Sequence, residues 1–414
     1  MEVQAARRTR RPRQRLVVSM SHAASDTYER PDLALLIPSY AGGGAERVAF
    51  FVARTLAEAG LRVDLVVACA HGELRDEPLP GATKVELGAL NEILAAPAWV
   101  RYLKRTRPRC AMSMIHTANL SSGIGALFVP EVPIIVNLRY ALRTEPAAQW
   151  WFRRRFGFSP ERFLYRRAAR VAGVSHGVAN EAAEVFDLPA DKIVAIPNPR
   201  HSENASLEIA PTHESMFEKP VVLGVGRLTC QKDFGMLLRA FADVTSRRDL
   251  HLVILGEGAD RASLEAQVRE LDLSERVFFP GFVHNPQAYM RRARVFAMSS
   301  RNEGLPMVLI EALEAGAAIV STDCHFGPRE LLDDGRLGRL TPVGDAKSFA
   351  AALEAELAEP DLGPDTRRAA RAEWLQRFEP EVITGRYLEL ICEVVEADSK
   401  YEHPVSRREN RHDT

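Results

Sequence analysis

Residues 33–37 form an unbroken apolar run, Leu33-Ala34-Leu35-Leu36-Ile37, the pattern of a strand buried on both faces. Three glycines follow (Gly42, Gly43, Gly44), then Val48, Phe51, Val52, Leu56 and Ala59 at helical spacing, stopped by Gly60. Residues 63–68 are the next expected strand, with further strand-like runs at 110–115, 133–138, 170–174 and 192–196. Helical segments lie between these runs, so the pattern predicts a parallel α/β sheet. Pro197, Pro199 and Pro211 sit among polar residues without period, which marks a linker. Beyond it the alternation restarts, with strands at 221–225, 251–255, 277–279, 295–298 and 317–322 and helices beginning near Phe234, Asp260, Pro286 and Pro306. The expected organisation is an arm over 1–30, a doubly wound domain over 31–198, a linker over 199–215, a second doubly wound domain over 216–379, a helix over 380–397 and a polar tail over 398–414.

The 414-residue length suits two domains better than one core. A net charge of −1 hides a local asymmetry, because six arginines fall between Arg7 and Arg15, as in a solvated disordered arm. No stretch approaches the roughly 20 apolar residues of a spanning helix, and Leu16-Val17-Val18 is too short for a secretory signal. Five scattered cysteines without C-x-x-C spacing argue against a disulfide framework or a zinc site and fit a cytoplasmic protein.

Three features can carry chemistry. Gly42-Gly43-Gly44-Ala45-Glu46-Arg47 joins a strand to a helix, so free N–H groups and the positive helix end can face an anion; tight packing alone would also explain it. It lacks the Gly-Lys-Ser/Thr of a P-loop, and neither glycine loop has the G-x-G-x-x-G run of a nicotinamide dehydrogenase. Gly224-Val225-Gly226-Arg227 ends a strand, with Lys232 five residues after Arg227; a guanidinium fork and a mobile ammonium suit a diphosphate. Gly256-Glu257-Gly258 repeats the close backbone approach one strand later. Most informative is Ser300-Arg301-Asn302-Glu303-Gly304-Leu305-Pro306-Met307, with Pro306 expected in the first helical turn and Glu311 over one turn into the helix. A carboxylate can hold vicinal hydroxyls, and a helix start can take phosphate, so one site can grip sugar, diphosphate and ribose together.

Together the Glu303/Glu311 pair, the Gly-Arg…Lys element, Gly-Glu-Gly and Gly-Gly-Ala-Glu-Arg resemble the retaining glycosyltransferases of family 4 over nearly all of 31–396. Thr322-Asp323-Cys324-His325-Phe326-Gly327-Pro328-Arg329-Glu330 is similar to the subgroup that assembles bacterial exopolysaccharide, capsule and lipid-linked glycans. The resemblance implies the GT-B fold, two Rossmann-like doubly wound domains facing across a cleft, with acceptor on the first and nucleotide-sugar on the second. It also implies that the C-terminal helix returns to the first domain. Glu303 would contact the donor sugar and Glu311 the ribose hydroxyls. Arg227 and Lys232 would neutralise the leaving diphosphate, helped by the backbone of Gly43, Gly44 and Gly226. Gly281-Phe282-Val283 would form the nucleobase wall beside Gly256 and Glu257. Many members carry a histidine after the strand at 133–138, where this chain has Arg139, which cannot accept a proton at neutral pH. Arg139 could still order the diphosphate or acceptor, and His116, with Asn119, is the second acceptor-side candidate, although a lone histidine is more often a packed or surface residue.

The function expected from this resemblance is retaining transfer from a nucleotide-diphosphate sugar, a UDP-sugar, to a glycan or polyprenyl-linked acceptor in cell-envelope polysaccharide synthesis. A nucleotide-sugar epimerase or phosphorylase of the same architecture stays open, as does a non-catalytic sugar-nucleotide-binding protein. No cofactor is expected, and no Asp-x-Asp at a strand end calls for a metal. Between Arg139 and Arg170, nine arginines interleave with Trp150, Trp151, Phe152, Phe156, Phe158, Phe163 and Tyr165. That mix suits peripheral contact with an anionic membrane at the inner face of the plasma membrane. RNA binding or burial of the aromatics in the domain core are its alternatives, and no nucleic-acid partner is expected.

Overall fold

The structure is a computed structural model that describes residues 30–142, 160–200, 208–359 and 362–401. The chain divides into two compact units. The first takes the described residues 30–139, 160–196 and 384–401; the second takes 140–142, 197–200, 208–359 and 362–383.

Among the described residues of the first unit, seven strands form one parallel sheet. They are β1 (Leu33–Ser39), β2 (Val63–Cys69), β3 (Ala82–Glu86), β4 (Cys110–Met114), β5 (Ile134–Leu138), β6 (Arg170–Gly173) and β7 (Ile193–Ala195), in the order β3-β2-β1-β4-β5-β6-β7. Every residue of β1 and β2 is buried, which is why these strands read as continuous apolar runs. Asp64 is tolerated in β2 because the Tyr102 hydroxyl donates to its carboxylate at 2.5 Å. In the second unit, β8 (Val221–Val225), β9 (His251–Leu255), β10 (Val277–Gly281), β11 (Val295–Met298), β12 (Ile319–Thr322) and β13 (Arg339–Thr341) are again parallel, in the order β10-β9-β8-β11-β12-β13. Each sheet reverses its strand order once near the middle, between β1 and β4 and between β8 and β11. At such a switch point two neighbouring loops leave the carboxyl edge in opposite directions and open a crevice.

Several boundaries differ from the sequence expectation, each for a local reason. Pro306 is not in the first helical turn: it is the N-cap, extended at φ −68° and ψ 115°, and the helix is Met307–Ala315. Strand β10 continues through Pro280 to Gly281 because it is a sheet edge, where a missing N–H breaks no ladder bond. The last part of the expected linker is ordered as the 3-10 helix Pro211–Phe217, whose His213 Nδ1 lies 2.7 Å from the Tyr289 hydroxyl of the second unit. The C-terminal helix runs Pro380–Tyr401, and from Thr384 it belongs to the first unit, with Tyr387, Leu390, Ile391 and Val394 as its buried stripe. No helix among the described residues is long and apolar enough to cross a membrane.

Candidate functional site

The second unit gathers most of the predicted residues at the β8/β11 switch point. Gly226 directly follows β8, and a short loop leads through Lys232 to Asp233, which caps the helix Phe234–Thr245 by accepting the Met236 N–H at 3.3 Å. From β11 the chain passes through Ser299 and Ser300 to Glu303 and the helix Met307–Ala315. The two loops are laced together. Lys232 Nζ donates to Glu303 Oε1 at 2.6 Å, and the buried Ser300 hydroxyl donates to the same oxygen at 2.8 Å. The Ser299 hydroxyl donates to the Lys232 carbonyl at 2.7 Å, the Arg301 N–H to the Gln231 carbonyl at 2.8 Å, and Arg301 Nε to Asp233 Oδ2 at 2.8 Å. The side chains of Lys232 and Glu303 are only 15% and 10% exposed, so their pairing is far less screened than a surface salt bridge.

The string 322–330 packs against this loop. Asn302 and His325 form a parallel β-bridge, and the Thr322 hydroxyl donates to the Ser300 carbonyl at 2.6 Å. A Cβ on Gly327 would lie 2.6 Å from Pro306 Cδ. Burial, reinforced by the nearby Glu303 charge, pushes the Cys324 thiol up to about 12. Gly304, Leu305 and Pro306 are buried and Met307 half-buried; the Leu305 carbonyl accepts from Asn198 Nδ2 at 2.8 Å. Glu311 is buried on the helix that follows.

The neighbouring strand ends extend the crevice. Gly256 has φ +136°, and a Cβ there would lie 2.0 Å from the Gly226 carbonyl oxygen, so only glycine lets the two loops touch. The Gly256 N–H donates to the Gly281 carbonyl at 2.8 Å, which brings Glu257 beside Gly281-Phe282-Val283. Glu257 pairs with Arg261, Phe282 is 58% exposed with its ring edge-on to His284, and Val283 is half-buried. Arg227 is exposed and forms no ion pair among the described residues.

The first unit holds the remaining candidates. Gly42 takes φ +81°, Gly43 caps the helix Gly44–Glu58 from the extended region, and Gly44 is its first residue. His116 opens the helix His116–Phe128 after Ile115, a non-glycine residue at φ +77°, and its Nε2 lies 3.3 Å from the buried Glu161 carboxylate. Arg139 directly follows β5; its Nη1 donates to the Tyr387 hydroxyl at 3.4 Å, and burial lowers its guanidinium pKa. A cavity of about 560 Å³ opens near His116, lined by Cys69, Ala70, His71, Ala89, Leu90, Asn91, Glu92 and Thr117. Of the basic-aromatic stretch, 143–159 with Trp150, Trp151, Phe152, Phe156 and Phe158 lies outside the described residues, as does the arginine-rich arm. Tyr165 is core, edge-on to Phe186, while Phe163 is partly exposed under the Arg167 guanidinium.

Ser300 and Arg301 stand in the most informative motif but carried no assigned role there, and Asp233 stood in no motif. Asp233 carried a signal as an N-cap residue immediately before an apolar helix, whereas Ser300 shows its part only once Glu303 is seen beside it.

Comparison with known proteins agrees with this architecture. The family model described as glycosyl transferases group 1 matches residues 208–373, and that described as Glycosyltransferase Family 4 matches 42–203. An N-acetylgalactosamine-N,N'-diacetylbacillosaminyl-diphospho-undecaprenol 4-alpha-N-acetylgalactosaminyltransferase of Campylobacter jejuni is 34% identical over 199 residues, 48% of this chain and 53% of that protein. The lipopolysaccharide core biosynthesis glycosyltransferase LpsE of Rhizobium meliloti is 27% identical over 357 residues, 84% of this chain and 96% of that one. The fold is shared with HepE of Anabaena, solved in complex with UDP, at a TM-score of 0.72 and 20% identity, covering 87% of this chain and all of HepE. With both family models matched back to back on two Rossmann-like units, the chain belongs to the family 4 glycosyltransferases and has their GT-B fold.

Proposed function

We propose that the protein transfers a glycosyl group from a UDP-sugar, with retention of anomeric configuration, to a lipid-linked or polysaccharide glycan of the cell envelope. The observation that carries the reading is the Lys232–Glu303 contact across the β8/β11 switch point, which puts an ammonium and a carboxylate where open α/β sheets bind ligands. A UDP-sugar presents both complementary groups, a diphosphate for Lys232 and Arg227 and sugar hydroxyls for Glu303. Glu311 takes the ribose hydroxyls, and Phe282 beside Glu257 faces the base. In the transfer, the bond from the anomeric carbon to the β-phosphate oxygen breaks as the acceptor oxygen bonds to that carbon on the same face. The acceptor proton leaves with the departing phosphate. Charge grows on the diphosphate, so Lys232, Arg227 and the backbone N–H groups at the glycine loops contribute most of the acceleration. The UDP of the Anabaena structure and the undecaprenol-linked acceptor in the Campylobacter name support the donor and acceptor classes.

The acceptor is assigned to the first unit, where His116, Arg139 and the cavity beside Thr117 provide polar groups. No divalent metal takes part in the proposed chemistry. Incubating the protein with a panel of nucleotide-sugars, with and without an acceptor extract and with or without EDTA, tests these statements. Acceptor-dependent release of UDP that EDTA leaves unchanged is expected. Sugar isomerisation without an acceptor would make it an epimerase, and binding without turnover a non-catalytic protein.

A further inference from the structure

We propose that Tyr387, on the C-terminal helix, is a positioning residue that aims the Arg139 guanidinium at the carboxyl end of β5. Asn137 and Arg139 are two residues apart on one extended segment, so their side chains leave the backbone on the same side and both reach Tyr387. Asn137 Nδ2 donates to the phenol oxygen at 3.0 Å and Arg139 Nη1 at 3.4 Å. The single phenol oxygen is thus the shared acceptor of both donors. Tyr387 is wholly buried and cannot itself reach a substrate. Its effect on the site passes through Arg139, which directly follows the strand, while the tyrosine's contact with Asn137 anchors it in the core.

The contact belongs to a longer buried chain of hydrogen bonds. The Asn137 carbonyl accepts from Asn119 Nδ2 at 2.9 Å, and Asn119 Oδ1 accepts from the Ser113 hydroxyl at 2.8 Å. Ser113, Asn119 and Asn137 are all at most 1% exposed. The chain ties β4, the helix that begins with His116, β5 and the C-terminal helix together, so a rotation of any one is resisted by the others. Asn119, one turn after His116, is thereby a structural residue. Burial that lowers the Arg139 pKa also makes a fixed hydrogen-bond acceptor more valuable to that cation than it would be in water.

Tyr387→Phe removes the oxygen and keeps the ring in the core. The kinetic part of its test rests on the glycosyl-transfer reading; the labelling part does not. With the fold checked by circular dichroism, phenylglyoxal labelling followed by peptide mass spectrometry reads the access of reagent to Arg139. Arg62 and Arg109, ion-paired to Asp32, are internal controls. The expected result is faster labelling of Arg139 in Tyr387→Phe with the controls unchanged. The transfer rate should fall by up to about 10²-fold, the loss that a displacement near 1 Å produces, with donor KM little changed. In an Arg139→Ala background, Tyr387→Phe should have a much smaller effect on kcat, because the route through Arg139 is already cut. Unchanged labelling of Arg139 overturns the proposal, and so does a Tyr387→Phe effect that multiplies with Arg139→Ala. If the wild-type protein transfers no sugar, the glycosyl-transfer reading fails, and the labelling result alone decides whether Tyr387 positions Arg139.

Discussion

Lys232 and Glu303 lie 71 residues apart in the chain, yet 2.6 Å separates their charged atoms, and each is assigned a different part of one donor. In the proposed transfer, a diphosphate at Lys232 would take Glu303's place and free that carboxylate for a sugar hydroxyl. Lys232→Ala or Arg227→Ala is expected to lower the transfer rate by about 10²–10³-fold, as for loss of a single preorganised donor, with circular dichroism unchanged. Near-native rates in either variant would refute the donor assignment. Ser300→Ala removes the second hydrogen bond to Glu303 Oε1. Hydrogen bonds to charged groups contribute about 1.5–3 kcal/mol, so its transfer rate should drop at least about tenfold while the donor's nucleotide part still binds, as read by UDP calorimetry. The identities of Lys232 and Glu303 were legible in the sequence because their motifs are local. Their contact was not, since it depends on which two strands become neighbours in the sheet.

At the scale of elements, the central strands and the edges β7 and β10 were readable, whereas the edges β3 and β13 were not. β1, β2, β8 and β9 are flanked on both sides and buried nearly throughout, so they appear as apolar runs. β3 and β13 are sheet edges with half-exposed residues such as Lys84 and Arg339, and neither produces a run or a clean alternation. The glycines are the counterpart of this argument in the loops, because their need becomes plain only when a second loop is in place. Gly256→Ala combines φ +136° with a Cβ 2.0 Å from the Gly226 oxygen. Such backbone strain costs about 1–3 kcal/mol before the clash is added. A clear fall in urea midpoint and loss of UDP binding are expected. A variant as stable as the wild type would show that the two loops separate without cost.

At the scale of the whole molecule, charge and ionisation decide the remaining expectations. The Cys324 thiol, whose ordinary value is 9.0, stays protonated in the fold up to about 12, and burial raises Cys110 in the same direction. The unfolded chain releases these protons first, so it binds fewer than the native state as pH rises from about 9 towards 12, and native stability must fall across that window. Urea midpoints at a series of alkaline pH values should show the loss, and Cys324→Ala should weaken its slope. If the arginine-rich stretch between Arg139 and Arg170 meets anionic lipid, the protein will float with anionic liposomes at low salt and detach at high salt. Failure to float at low salt would remove the membrane from the picture.

The helix that carries Tyr387 also sets a timetable. Asn137 donates to a hydroxyl 250 residues further along the chain, and the helix belongs to the first unit from Thr384 onward. During synthesis from the N-terminus, β5 therefore waits for its partner until the entire second unit has been made. A ribosome moving at about 5–20 residues per second takes roughly ten seconds to a minute over that distance. Until then Asn137 and Arg139 have no Tyr387 oxygen to donate to, and the apolar surface that receives Leu390, Ile391 and Val394 is uncovered. The first half of the polypeptide emerges first and is completed last, and the interval between is when a chaperone has the most surface to hold.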